Sequence, residues 1–378
     1  MHIPKWPQAG EREAKLLQKV LESTHWGGFH PFVTQFENQF AEYQHAAHGI
    51  ALCNGTVSLE LALSVLGVGP GDEVIVPAIS FVSSASAVSR AGAVPVFVDI
   101  ERRSFNIDPL QVRNAISPAT KAIMPVHFGG TMCCLEELIR IAREHELILL
   151  EDAAHAQGSE WNGKRAGSFG NLGSFSFQNG KVLSAGEGGA LVTLDEEFAV
   201  KARSVANCGR LAGRSFYEHH TLGSNFRMTA FQAAVLIGQL ERLPEQIEHR
   251  TRNARLLMQL TADVQEIIWQ EQPLEATRNS WYLLVGRIQA GAEQRDEFQA
   301  NLSKAGVPCT PFYPWPLYRN PLFSDVECRV LPCPIAEACV RDAFWLPHRV
   351  LLADEETIRE VAEVIRAAVP AKTTLGVA

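Results

Sequence analysis

The sequence predicts an α/β fold class: a large doubly wound, mostly parallel sheet domain followed by a smaller carboxyl-terminal α/β domain. Two observations carry this. Between about residues 50 and 195, short apolar runs alternate with amphipathic stretches of crossover-helix length, with Gly, Pro and Asp at the junctions. After residue 228 the rhythm changes to long helical periodicity and then to a second, shorter α/β pattern. A chain of 378 residues is long enough for two such units, and we expect a large domain over 1–240 and a smaller one over 241–378.

Taken in order, Glu11–Ser23 reads as a helix, and Phe36, Phe40 and Tyr43 recur at helical spacing, which predicts a helix with an aromatic inner face. Between them, Trp26-Gly-Gly-Phe-His-Pro either lines a site or turns the chain. Apolar runs at 73–76, 94–98, 122–126 and 147–150 predict buried parallel strands. Helices are expected over 229–240 and again from 244 to about 263, then over 293–305 and 354–368, with a strand near 281–288.

Hydrophobic residues make up 46% and charged residues 20% of the chain, which excludes a disordered or low-complexity scaffold. A formal net charge of −8 offers no basic field to a phosphate backbone, so nucleic acid is not an expected partner. No apolar run reaches the roughly 20 residues of a membrane span, and MHIPKWPQAGEREAK lacks an apolar signal core, so we expect no membrane association and a cytoplasmic location. The eight cysteines form neither a C-x-x-C pair nor a zinc-type cluster with histidine, so free thiols and no metal are expected.

Three segments carry chemistry. In SFSFQNGKVLSAGEGGA, Lys181 follows an apolar strand and precedes a loop in which Gly186, Gly188 and Gly189 permit close backbone approach; an amine held this way suits Schiff-base chemistry. In LLEDAAHA, Asp152 and His155 stand at the carboxyl end of a buried strand, the edge where open α/β sheets place ligands. A carboxylate there suits the protonated nitrogen of a pyridoxal ring, although the same segment also suits a helix cap. In CNGTVSLELAL, Gly55 and Thr56 open an amphipathic helix, whose unpaired amides either bind an anion or form an ordinary cap. An anion site, a strand-end acid and a strand-to-loop lysine, in that chain order, are three parts of one cofactor pocket.

With NGT, GDEVIVPAISF, EDAAHA, SFSFQNGK, AGEGGA and GSNFRMTAFQAA, the chain resembles, from about 26 to 368, the DegT/DnrJ/StrS group of pyridoxal-phosphate aminotransferases that act on sugars and aminocyclitols. The resemblance implies the type I, aspartate-aminotransferase-like fold and pyridoxal 5′-phosphate as cofactor. It implies that Lys181 holds the cofactor covalently and moves a proton between cofactor and substrate carbons. It further implies that Asp152 pairs with the ring nitrogen, Phe81 stacks on the ring, and His155 lies near the 3-hydroxyl side, while Gly55, Thr56 and Ser176 hold the phosphate. Asn225, in G-x-N-x-R, is implied to reach the phosphate of a neighbouring subunit, hence a homodimer with shared active sites; its alternative is a turn residue before the helix from 229.

Within the family, Gln178 stands where many members have histidine, which resembles the branch of glutamine-dependent scyllo-inosose aminotransferases and 3-amino-5-hydroxybenzoate synthases of antibiotic pathways. The latter share FSFQNGK, whereas FYPWPLYRNPLF and FWLPHRVLL are more similar to the inosose enzymes. The expected activity is ping-pong transfer of an amino group from glutamate or glutamine to a keto-sugar or ketocyclitol. The alternative is a synthase-like lyase that dehydrates and aromatises an aminated ring ketone. Tyr313, Trp315, Tyr318, His348 and Arg349 supply donors able to read hydroxyl groups, or pack the loops. Arg227 meets either a substrate carboxylate or, as favoured, a dimer interface, and His127 either supports the site or touches substrate. Cys133 and Cys134 need no role beyond packing. A non-catalytic regulator is disfavoured by Lys181, Asp152 and the phosphate turn occurring together.

Overall fold

In the computed structural model, which describes residues 1–289 and 291–369, the apolar runs become strands and the amphipathic stretches between them become helices. Two helices come first, α1 (Glu11–Ser23) and α2 (Pro31–Tyr43). The alternating series is β1 (His48–Leu52), α3 (Gly55–Val65), β2 (Glu73–Pro77), α4 (Ser83–Arg90), β3 (Val94–Val98), α5 (Pro109–Ala115), β4 (Thr120–Ile123), α6 (Leu135–Glu144) and β5 (Ile148–Asp152). A hairpin of β6 (Glu160–Trp161) and β7 (Lys164–Arg165) leads to β8 (Leu172–Ser176), β9 (Gly189–Thr193) and α7 (Glu196–Ala206). Then come α8 (Ala230–Leu260), β10 (Ile267–Trp269), β11 (Leu283–Ile288), α9 (Ala292–Lys304), β12 (Thr310–Pro311), β13 (Arg329–Val330), α10 (Pro334–Asp342), β14 (Ala343–Pro347) and α11 (Glu355–Ala368).

The main sheet runs β1-β9-β8-β5-β4-β2-β3-β13. Only β9 opposes its neighbours; the other pairings are parallel, so seven strands end at one edge. Helices cover both faces, which is why Ile75, Val76, Val96, Phe97 and Leu150 are wholly buried on strands without polar alternation. The shared edge gathers the end of β1 with the start of α3, the end of β2 with the start of α4, Asp152 at the end of β5 and Ser176 at the end of β8.

A second, antiparallel sheet, β10-β11-β14-β12, packs Phe344 and Leu346 against Phe298 and Leu302 of α9 and Ile358 and Ile365 of α11. Strand β13 returns to the main sheet beside β3, where Arg329 pairs with Glu73 at 2.8 Å. The chain therefore crosses between the two sheets more than once after residue 240, which itself lies inside α8.

The sequence predicts two helices divided before Pro244; the structure has one, α8, of 31 residues with the proline inside. Proline removes one hydrogen bond and disfavours a helix interior, but packing overrides it. Leu236 and Ile237 belong to the main core, Leu243 and Ile247 are fully buried beside Pro244, and Ala254 and Leu257 belong to the core of the second sheet. A capping box starts the helix: Thr229 accepts from the Gln232 amide, and the Gln232 side chain accepts from the Thr229 amide at 2.8 Å.

The first residues tie distant parts together. The Met1 ammonium pairs with Glu360 of α11 at 2.6 Å, the Pro4 carbonyl accepts from Arg349, and the Trp6 indole donates to the Lys181 carbonyl at 3.0 Å. Among the described residues no helix is long and apolar enough to cross a membrane, and no cluster of three or more His, Cys, Asp or Glu side chains is placed to hold a metal ion.

Candidate active site

A cavity of about 600 Å³ opens at the shared strand edge. At one end is the start of α3. Asn54 caps it by accepting from the Val57 amide at 2.9 Å, so the amides of Gly55 and Thr56 in the first turn have no partner within the helix. The Thr56 and Ser83 hydroxyls are 2.7 Å apart, and Ser176 lies on the same wall. Close packing makes this cradle: a Cβ on Gly55 would fall 2.6 Å from Ser176 Cβ, and one on Gly189 would fall 2.3 Å from the Asn54 carbonyl oxygen. Unpaired amides, a helix dipole and three hydroxyls form a donor set for a phosphate dianion.

Asp152 marks the far end. Ser84 donates to its Oδ2 at 2.7 Å, Ser80 supports Ser84 at 2.7 Å, and the Ala154 amide donates to Oδ1 at 3.2 Å. Burial pushes the Asp152 carboxyl above its ordinary value, outweighing these donors. A protonated ring nitrogen beside it acts the other way, stabilising the carboxylate by opposite charge. His155 is held well below its ordinary value by burial and then by the nearby Lys181 charge, so it is neutral. The Gly129 amide donates to its Nδ1 at 3.3 Å, which leaves Nε2 to carry the hydrogen.

Lys181, 9% exposed, follows β8 on a loop. Phe175 and Phe177 fix that strand from behind by edge-to-face contact with Phe40 at 5.0 and 5.2 Å, and Phe36 adds a contact to Phe177 at 5.4 Å. The predicted aromatic face of α2 is thus the packing behind the lysine loop. Lys181 Nζ lies 4.4 Å from the centroid of the Tyr282 ring, and that ring lies 4.4 Å from His155. Phe81, 57% exposed, is also on the cavity wall.

Seven of the residues singled out from sequence therefore meet in one cavity: Gly55, Thr56, Phe81, Asp152, His155, Ser176 and Lys181. An anion cradle, a buried carboxylate, an exposed aromatic ring and a buried amine fit pyridoxal phosphate by size and chemistry. Asn225 does not line this cavity; it is exposed and bridges Asn207. Arg227 donates to Asn207 at 2.8 Å and lies over the Phe29 ring. The Trp26 loop turns the chain: its Trp26 carbonyl accepts from the Ala230 amide, and His30 caps α2. Tyr318 bonds Glu337 at 2.8 Å away from the cavity, whereas Tyr313 lines it.

Beneath the site, Glu151 and His127 form a fully buried pair at 3.0 Å. His127 Nδ1 accepts from the Cys133 amide, so Nε2–H donates to Glu151; it supports the site without reaching the cavity. Burial pushes the Glu151 carboxyl up, but His127 and the amides of Gly170 and Gly167 outweigh it and hold it below its ordinary value. Cys133 is buried and donates to the Val126 carbonyl, and Cys134 precedes α6 as its cap residue. Sequence reasoning missed Glu151, Tyr282, Trp6 and the serines at 80, 83 and 84. The serines carried a signal, an i, i+4 pair just after a strand; Tyr282 and Trp6 carried none, because only the fold brings them to Lys181.

The profile of the DegT/DnrJ/EryC1/StrS aminotransferase family matches residues 7–366. The chain is 41% identical to 3-amino-5-hydroxybenzoate synthase of Amycolatopsis mediterranei over 97% of both chains. It is 35% identical to L-glutamine:2-deoxy-scyllo-inosose aminotransferase of Streptoalloteichus tenebrarius, over 96% of this chain and 93% of that one. A crystal structure of 3-amino-5-hydroxybenzoic acid synthase superposes with a TM-score of 0.93 at 41% identity, covering 97% of this chain and 98% of the other.

Proposed function

Because the chain belongs to the DegT/DnrJ/EryC1/StrS aminotransferase family, we propose that it moves an amino group from glutamate or glutamine to a keto-sugar or ketocyclitol in two half-reactions with ping-pong kinetics. It is an aminotransferase and its cofactor is pyridoxal 5′-phosphate. The observation that carries this reading is the meeting of Lys181, Asp152 and the α3 cradle in one cavity.

When bound, pyridoxal phosphate supplies the electron sink that stabilises negative charge on a substrate carbon. On this reading, Gly55, Thr56 and Ser176 would hold its phosphate and Asp152 would pair with its ring nitrogen. Phe81 would cover the ring, and His155, neutral, would offer Nε2–H to its oxygen side. Lys181 Nζ would carry the proton between the substrate carbon and the cofactor carbon. Asn225 serves the cavity of a second subunit in a homodimer, in keeping with its exposure and its absence from the walls of the cavity of its own chain.

The test is an absorbance scan of the protein with cofactor, before and after glutamine or glutamate. We expect a visible band that one donor bleaches, and no such band in Lys181→Ala. A wild-type band that neither donor bleaches, or double-reciprocal plots that intersect, would overturn the transfer scheme. The similarity to the Amycolatopsis synthase favours a second reading, a lyase that aromatises an aminated ring ketone. Its mark is release of an ultraviolet-absorbing aromatic acid with no amino donor present.

A further inference from the structure

The turn that carries Lys181 is closed by its own bonds: the Lys181 amide donates to the Gln178 carbonyl at 2.8 Å, and the Gly180 amide to the Gln178 side-chain oxygen at 2.7 Å. Such local bonds shape a turn without fixing where it stands. On either side Phe177, Val182 and Leu183 are buried in the main core, whereas Gln178 and Asn179 are exposed and Gly180 is half-buried, so little packing holds the turn itself. A displacement of about 1 Å at a reacting group can cost about a hundredfold in rate, so what anchors this turn matters to the chemistry of its lysine.

Two donors from distant parts of the chain reach its carbonyls. The Trp6 indole donates to the Lys181 carbonyl at 3.0 Å, and His348 Nε2 donates to the adjacent Gly180 carbonyl at 3.2 Å. The two rings meet edge to face at 4.5 Å, so each bond braces the other. His348 follows β14 of the second sheet and Trp6 precedes α1, so both hold the turn from outside the main sheet. His348 is neutral, held well below its ordinary value by burial and then by the Arg250 charge. Its one N–H is spent on Gly180, which leaves none for the hydroxyl-reading role that its residue type allows.

We propose that Trp6 and His348 are a pair of positioning residues for Lys181: by holding two successive carbonyls of its turn they set where Nζ stands when it moves a proton. The proposal rests on the aminotransferase reading above for its kinetic consequence, and on the two bonds alone for its effect on the turn.

Hydrogen–deuterium exchange of the peptide covering 178–186 in the resting protein, and the rate of donor bleaching in a single turnover, test the pair. Trp6→Phe keeps the ring and loses only the N–H; we expect it to exchange this peptide about tenfold faster, with the other peptides of the main sheet unchanged. Its maximal bleaching rate should fall by about tenfold while the half-saturation for the donor stays the same. His348→Leu should act likewise, and His348→Gln, whose amide can still donate, should keep most of the rate. Trp6→Phe combined with His348→Leu should lose less than the product of the two separate losses, because both act through one turn. Unchanged exchange and an unchanged rate in Trp6→Phe overturn the proposal. So does a raised half-saturation at an unchanged maximal rate, which would make Trp6 a donor contact, and so does faster exchange throughout the chain, which would make the bond a general support of the fold. If no donor bleaches wild type, the aminotransferase reading fails, while the exchange of 178–186 still decides the pair.

Discussion

Glu151 shows how a single side chain can organise a site it does not enter. Its carboxylate accepts from three consecutive-loop amides, Gly167, Phe169 and Gly170, and from His127, and it immediately precedes Asp152 on β5. Glu151→Gln weakens every one of these bonds at a fully buried position, so we expect a loss of roughly 3–5 kcal/mol at neutral pH, read by urea unfolding. Because the folded carboxyl titrates below its unfolded value, its contribution is complete above about pH 4.5 and is lost as pH falls through the lower, folded value. The gap between wild type and variant should therefore narrow below pH 4.5; a constant gap would mean that Glu151 acts through packing alone.

At the scale of elements, α8 joins the two cores, and its start is set by Thr229. Removing that cap in Thr229→Ala should cost about 1 kcal/mol in thermal or urea unfolding, while Thr229→Ser should be nearly neutral; equal losses would point to the methyl group instead. The same helix marks the limit of what sequence conveys. Periodicity located the buried strands at 73–76 and 94–98 because those runs are shielded on both faces, and it located α1 to the residue. It divided α8 because a proline signal is local, whereas the packing of Leu243 and Ile247 that overrides it comes from residues far along the chain. The site divides similarly: Asp152, Lys181 and Gly55 lie at strand ends and a helix start, where local pattern speaks. Tyr282 and Trp6 are brought in only by the second sheet and the first residues.

For the whole molecule, the exposed Asn225 carries a prediction about assembly. If each cavity takes Lys181 from one subunit and Asn225 from its neighbour, Lys181→Ala and Asn225→Ala are each impaired. Dimers formed by mixing and refolding the two regain one intact site of two. Absence of recovered donor bleaching in hybrids purified by two tags would count against shared sites. The contacts of residues 1–6 bear on a different process, synthesis on the ribosome. The partners of Met1 and Pro4, Glu360 and Arg349, are made at least 345 residues after them, so this segment waits unpaired while the first strands form and pair. Two residues further on, the Trp6 indole bonds the Lys181 carbonyl of the lysine loop. A nascent chain that has not yet reached α11 can thus hold its first strands while the segment that touches the lysine loop is still untied at Met1 and Pro4.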